Sequence, residues 1–332
     1  MAKQIILDLF DQKKVDRVPV GLWWHFTDSS EWGAGTNEQV FQRAFEGHRD
    51  YAKEARLDLL KVMPDVYFVL PNLDGVDITD AGQLLAVRPV GAYDPFYENQ
   101  VRLIRQLTDE LGNDTAVFPT VFSPYYYLLF SQLRTKGKAN TEAELAKAVK
   151  EHPEALKHAV DVIAQDLIAL GRRLLAEAKA DGIFYAVHNF KTIGKVDYLN
   201  VFTPAERLIA DEIAAVKDYT ILHVCGSIGV PNDFSLYANY PYKALNYAVS
   251  NEKFSLAEAK RRFPDKVIIG GFSTKPDSII YSGNREQLQA ETERLVSEAG
   301  RDRLVVGADC SLIPEYLSPE KVAWIKEKAD TL

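Results

Sequence analysis

Val267-Ile268-Ile269-Gly270-Gly271-Phe272 and, one helical pattern later, Leu304-Val305-Val306-Gly307-Ala308, followed by Asp309, are short, nearly continuous apolar runs. Neither alternates polar with apolar residues, so neither reads as a strand with one face in water. Runs of this kind suit parallel strands covered by helices on both faces. Six further β-branched or aromatic runs precede them: Arg17–Trp24, Leu57–Met63, Ala116–Phe122, Gly182–Val187, Thr220–Cys225 and Ala244–Val249, which brings the count to eight. Between the runs lie segments of helical period with start signals. Asn37–Arg56 follows a polar cap, and Thr141 with Glu144 forms a capping-box pattern. His152–Ala180 opens with Pro153 and keeps Leu156, Val160, Ile163, Leu167, Leu170 and Leu174 at three- and four-residue spacing. Eight strands alternating with helices predict an α/β fold, a (β/α)8 TIM barrel. An open doubly wound sheet is the other fold that alternation allows, but no G-x-G-x-x-G follows the first run. One domain over residues 1–332 is expected, with a small hairpin excursion at Gly75–Gly91, where the alternation breaks.

With 47% hydrophobic and 26% charged residues in 332, the chain has the composition of an ordinary soluble enzyme and can bury a full core. A net charge of −8 and the lack of any Lys/Arg run argue against nucleic acid as a partner. Two cysteines make no disulfide framework and point to a reducing compartment. Lys3, Asp8, Asp11, Lys13 and Lys14 interrupt the N-terminal apolar residues, so no signal peptide is read there. Thr115–Leu133 carries no charge, but Pro119 and Pro124 break it, and it reads as a strand running into a helix rather than a membrane span. A cytoplasmic location without membrane contact is expected.

In a barrel of this kind the site lies at the C-terminal ends of the strands. Those ends present His25, Asp65, Ser123 with Tyr125–Tyr127, His188, His223 with Cys225, Ser250-Asn251, Ser273-Thr274 and Asp309-Cys310. Residues i and i+2 of an extended segment share a side, so His223 and Cys225 can reach one point, with Cys310 arriving from the last strand. One imidazole and two thiolates form a soft donor set suited to Zn²⁺ with a fourth position open, which Glu252, Asp309 or water could fill. The competing reading is two inert cysteines buried in the core. Asp65 is a candidate general base or substrate ligand, although an Asp there also serves as a helix cap. His188 is a second catalytic candidate, with a loop hydrogen bond as its alternative. Tyr125, Asp309 and His25 are candidates for substrate contact, although His25 beside Trp23 and Trp24 also reads as packing.

The ordered segments DRVPVGLWW (16–24), LLKVMPDVYFVLP (59–71), HPEALKHAVDVIAQDL (152–167), ADGIFYAV (180–187), ILHVCGSIG (221–229), LAEAKRRFPDKVIIGGFST (256–274) and VVGADCSLIPEYLSPEKV (305–322) carry a family resemblance. Over essentially its whole length the chain resembles the uroporphyrinogen decarboxylase superfamily, whose fold is a (β/α)8 barrel. The decarboxylase branch bears an arginine-rich R-Q-A-G-R-Y segment after the first strand to hold its polycarboxylate substrate. Here Leu22–Asp28 contains no arginine, and a polycarboxylate without such cations would be costly to bind. The zinc- and cobamide-dependent methyltransferase branch has the motif H-x-C with a distant single Cys, which His223, Cys225 and Cys310 match. That resemblance implies Zn²⁺, a methylcobamide co-substrate carried by a separate corrinoid protein, and a small thiol as acceptor. Resemblance to the decarboxylases implies a homodimer. Ala308-Asp309-Cys310-Ser311 departs from that branch's usual G-C-G, which leaves the substrate open. Two other readings stand beside methyl transfer. One is decarboxylation of a tetrapyrrole, with Asp65 on the pyrrole nitrogens; the other is a non-catalytic corrinoid- or metal-binding barrel.

Overall fold

The structure, a computed structural model, describes residues 2–112, 114–136, 141–188, 193–226 and 230–332. Seven strands form one sheet in which spatial order follows chain order. They are β1 (Leu59–Val62), β2 (Ala116–Phe122), β3 (Ile183–Val187), β4 (Thr220–Val224), β5 (Ala244–Tyr247), β6 (Val267–Phe272) and β7 (Leu304–Ala308). Every neighbouring pair is parallel, so each connection is a crossover, most of them helical. Among the helices that cover the sheet are Glu38–Glu54, Pro95–Leu111, Pro153–Ala176, Thr203–Val216, Arg285–Ala299 and Pro319–Ala329. Several begin where a side chain accepts otherwise unpaired backbone N–H groups. Asn37 does so for Gln39 and Val40, and Asn284 forms a full capping box with Gln287. The uncharged stretch is β2 followed by the helix Pro124–Lys136. No helix among the described residues is long and apolar enough to cross a membrane.

The expected first strand, Arg17–Trp24, is not a regular strand, and the architecture is TIM-barrel-like with seven strands among the described residues rather than eight. The segment makes isolated parallel bridges, Val20 with Val306 and Trp24 with Leu312. Gly21 N donates to Val306 O at 2.9 Å, and Leu59 N donates to Val20 O at 3.3 Å. The ladder is interrupted for a chemical reason. Pro19 has no N–H to give, and the Val20 N–H is diverted to the Asp58 carboxylate at 2.8 Å. Gly21 is needed for close approach, since a Cβ there would lie 3.0 Å from Leu59 Cδ2.

The excursion at Gly75–Gly91 is helical, not a hairpin. A 3-10 turn at Pro71–Leu73 precedes a short helix, Ala81–Ala86, which Asp80 caps through the N–H groups of Gly82 and Gln83. Capping aspartates favour this local geometry over an extended ladder. Buried Asp166 then ties the segment to the helix Pro153–Ala176, accepting from Val90 N at 2.8 Å and Gly91 N at 3.2 Å.

The inner face of the sheet is filled by Trp23, Leu59, Met63, Phe118, Phe184, Ile221 and neighbours, and Ile6, Leu9 and Phe10 join them from the N-terminal helix. That helix seals the N-terminal end of the sheet with apolar side chains. Polar and sulfur-bearing groups gather at the other end.

Candidate metal centre

β4 ends at Val224, and the alternation of a strand sends His223 and Cys225 to the same side. Cys310 lies two residues beyond the end of β7. The three converge, with their donor atoms all within 4.8 Å of one another. Cys225 Sγ and Cys310 Sγ are 3.8 Å apart, and Cys310 Sγ is 3.7 Å from His223 Nε2. Both cysteines are free thiols. A tetrahedral Zn²⁺, with Zn–S ≈ 2.3 Å and Zn–N ≈ 2.0–2.1 Å, would set S···S at ~3.8 Å and S···N at ~3.6 Å. The two separations from Cys310 therefore match that ion at its ordinary bond lengths, and His223 and Cys225 lie within 4.8 Å of each other.

A hydrogen-bond chain sets the histidine tautomer. Asn246 on β5 donates through Nδ2 to Ile269 O and Ala308 O, each at 2.9 Å. Its other amide atom must then be the carbonyl oxygen, and that oxygen lies 2.5 Å from His223 Nδ1. Nδ1 carries the proton, so Nε2 presents a lone pair toward the thiols. Asn246→Leu removes the orienting acceptor. We expect zinc affinity to fall roughly 10- to 100-fold in a chelator competition, with the far-UV circular dichroism retained.

The thiols are electrostatically linked. A hydrogen bond from the Cys310 thiol, aided by His223 and opposed by burial, drives the Cys225 thiol far below its ordinary value. Cys310 is pushed the other way by that same bond, by burial and by the Cys225 charge. Tyr126, one of the Tyr125–Tyr127 run of which Tyr125 was singled out, lies near the Cys225 sulfur; burial and that sulfur push its phenol up. Tyr125 instead packs edge-on against Phe202 at 5.2 Å. His188 donates from Nδ1 to the Cys225 carbonyl at 2.8 Å, and burial lowers its pKa. It holds the loop that carries a ligand.

The other expected site residues are placed as follows. Asp65 is buried; its Oδ1 accepts from His25 Nδ1 at 2.8 Å and its Oδ2 from Phe26 N at 2.8 Å. Burial raises its pKa, but these bonds and the nearby histidines outweigh it and hold the carboxyl below the usual range. Asp65 therefore orients His25, whose ring lies 5.4 Å from that of Trp32. Asp309 is buried and caps the short helix Val249–Glu252, accepting from Val249 N at 2.8 Å and Ser250 Oγ at 2.6 Å. Glu252 is occupied by Asn232, whose Nδ2 lies 2.6 Å away. Among the described residues the cluster has three members, His223, Cys225 and Cys310.

Residues 78–332 match the sequence family described as Uroporphyrinogen decarboxylase (URO-D). The chain belongs to the URO-D family. No curated protein sequence matches it. Among solved structures, a methyltransferase from Methanosarcina mazei is similar with a TM-score of 0.67 at 16% identity, covering 99% of this chain and 98% of that one. A B12-independent methionine synthase from Shewanella sp. W3-18-1 superposes with a TM-score of 0.53 at 12% identity, covering 95% and 97% of the two chains. At these identities the likeness is one of fold.

This URO-D family chain also buries a carboxyl that carries a pH signature. Glu206 accepts from Tyr198 Oη at 2.9 Å and Tyr240 Oη at 3.1 Å, and burial raises its pKa to about 7 against 4.5 when unfolded. Between those values the folded chain holds a proton the unfolded chain has lost, so stability falls as pH rises through that window. Buried His48, lowered to about 4 from 6.5 by burial, works oppositely, since its unfolded form takes the proton first. Glu206→Gln should remove the Glu206 loss, about 3 kcal/mol by pH 8, and the measurement is urea unfolding at pH 5 and pH 8. An unchanged difference between the two pH values would contradict the assignment.

Proposed function

We propose that this protein is an enzyme that moves a methyl group from a methylated corrinoid to a small thiol, at a zinc centre held by His223, Cys225 and Cys310. The observation that carries the reading is the spacing of Cys310 from the other two donors, 3.8 Å to Cys225 and 3.7 Å to His223, which fits tetrahedral zinc with a fourth position left for substrate. Membership of the URO-D family and the methyltransferase fold relative support it.

Zinc bound there would lower the pKa of a thiol in the fourth position, which for a free thiol is about 8.5, making it a thiolate at neutral pH. The chain's own residues prepare that position. Asn246 fixes the His223 lone pair, His188 holds the Cys225 carbonyl, and Asp309 pins the loop before Cys310 to Ser250. A cavity of about 450 Å³ lined by Gly226, Ala248, Ser250, Asn251, Lys253 and Cys310, among others, admits a small substrate to the third ligand. In the transfer the thiolate lone pair forms the S–C bond. The cobalt–carbon pair leaves with the corrinoid, and the thiol proton passes to solvent. The corrinoid arrives on a separate protein.

The test incubates zinc-loaded protein with methylcobalamin and 2-mercaptoethanol, following methylcobalamin absorbance and the methyl thioether. Thioether formation that stops when zinc is stripped and returns with zinc is expected. Formation unaffected by stripping, or none with any of a panel of small thiols, would contradict the proposal.

A further inference from the structure

Lys61 lies on β1, and its side chain is only 3% exposed. The ammonium sits 5.2 Å from the centroid of the Trp23 ring and 4.5 Å from that of Phe184. Phe184 in turn packs 5.3 Å from the His223 ring. Among the described residues the ammonium has no hydrogen-bond acceptor and no carboxylate in ion-pair contact. The acidic groups whose charge reaches it are Cys310, Cys225 and Asp65, and Asp65 is already bonded by His25 and backbone amides. The Trp23 indole N–H beside it is likewise buried without a partner among the described residues. A lysine held on aromatic faces in a nearly sealed interior is costly unless an anion compensates it.

The charge count at the neighbouring centre says which anion. Zinc, two thiolates and a neutral imidazole sum to zero. A thiolate in the fourth position brings the sum to −1, and Lys61 restores neutrality. A neutral fourth ligand leaves Asp65 as the one acidic group that offsets Lys61 among the described residues, and that carboxylate is already bonded by His25 and a backbone amide. We propose that Lys61 is the counter-charge for an anionic fourth ligand at the His223/Cys225/Cys310 centre, and that it selects a thiolate there over water or a nitrogen base. The inference rests on the zinc reading above and adds a specificity residue to it. Lys61 touches no reacting atom in this scheme; it acts through the field at the centre.

The test uses full-length protein loaded with Co²⁺ in place of zinc, because thiolate ligands give a sulfur-to-cobalt charge-transfer band. Wild type, Lys61→Met and Lys61→Arg are titrated with 2-mercaptoethanol and, separately, with imidazole as a neutral ligand. Lys61→Met should weaken the thiol about tenfold or more while leaving imidazole within about twofold, and Lys61→Arg should recover much of the loss. Methionine is close to lysine in size and removes a buried charge, so thermal unfolding should not move down. Equal weakening of both ligands, or of neither, would overturn the inference. Wild-type protein that takes up no Co²⁺ or zinc would instead overturn the metal-centre reading and this inference with it.

Discussion

Cys310→Ala is expected to abolish stoichiometric zinc while leaving the protein folded. The residue lies at the open end of the sheet, and the contacts that anchor its loop belong to its neighbour Asp309, bonded to Val249 and Ser250. Loss of the thiol therefore removes a ligand without removing a structural tie. A three-donor site reduced to His223 and Cys225 should lose affinity by roughly 10²- to 10³-fold, given how zinc binding energy divides over its ligands. Thiol methylation should fall with it. Zinc per chain after dialysis against a mild chelator, beside the midpoint of thermal unfolding, gives both readings. A variant that keeps one zinc and full activity would contradict the ligand assignment.

The largest effect on stability is expected from Asp58→Ala. Asp58 is completely buried and accepts from Arg17 Nη1 at 2.9 Å and Val20 N at 2.8 Å, with Lys326 Nζ 3.5 Å away. It joins the irregular first segment to β1 and to the last helix. Truncation would leave the buried Val20 N–H without its acceptor, buried Lys326 with one carboxylate fewer and the part-buried Arg17 guanidinium with only Asp330, 3.1 Å away, a loss of about 3–5 kcal/mol. The same residue offers a milder control. Asp58→Asn keeps the Val20 bond and loses the charge, so it should fall between Ala and wild type in urea unfolding. Asp58→Ala within about 1 kcal/mol of wild type would contradict the role given to this carboxylate.

Much of this architecture is legible in the chain because strands covered on both faces are spelled as uninterrupted apolar runs. VIIGGF and LVVGA coincide with β6 and β7 to the residue. The approach of His223, Cys225 and Cys310 is also legible, because strand parity and the alternation of strands and helices bring those ends to one rim. The first run failed as a strand for a reason its apolar content hides. Pro19 and the long-range capture of Val20 N–H by Asp58 remove consecutive ladder donors. At Gly75–Gly91 turn residues were read as a hairpin, whereas Asp80 and the distant Asp166 fix a helical path. Asn246 and Lys61 went unnoticed because each gains its meaning from residues far along the chain. A lysine inside LLKVM looks like an ordinary strand residue until the sheet curls it toward the thiols. The Tyr125–Tyr127 run did carry a signal, but only the helix register decides which ring faces Cys225.

The proposed chemistry depends on a zinc ion held by one imidazole and two thiolates with a fourth position that a thiol enters. Zinc-edge X-ray absorption of the loaded protein, with and without 2-mercaptoethanol, tests it most directly. Two sulfur scatterers at ≈ 2.3 Å and one imidazole nitrogen at ≈ 2.0–2.1 Å are expected, with a third sulfur appearing on addition of the thiol. A first shell without sulfur, or one already closed by four protein ligands and unchanged by the thiol, would contradict it.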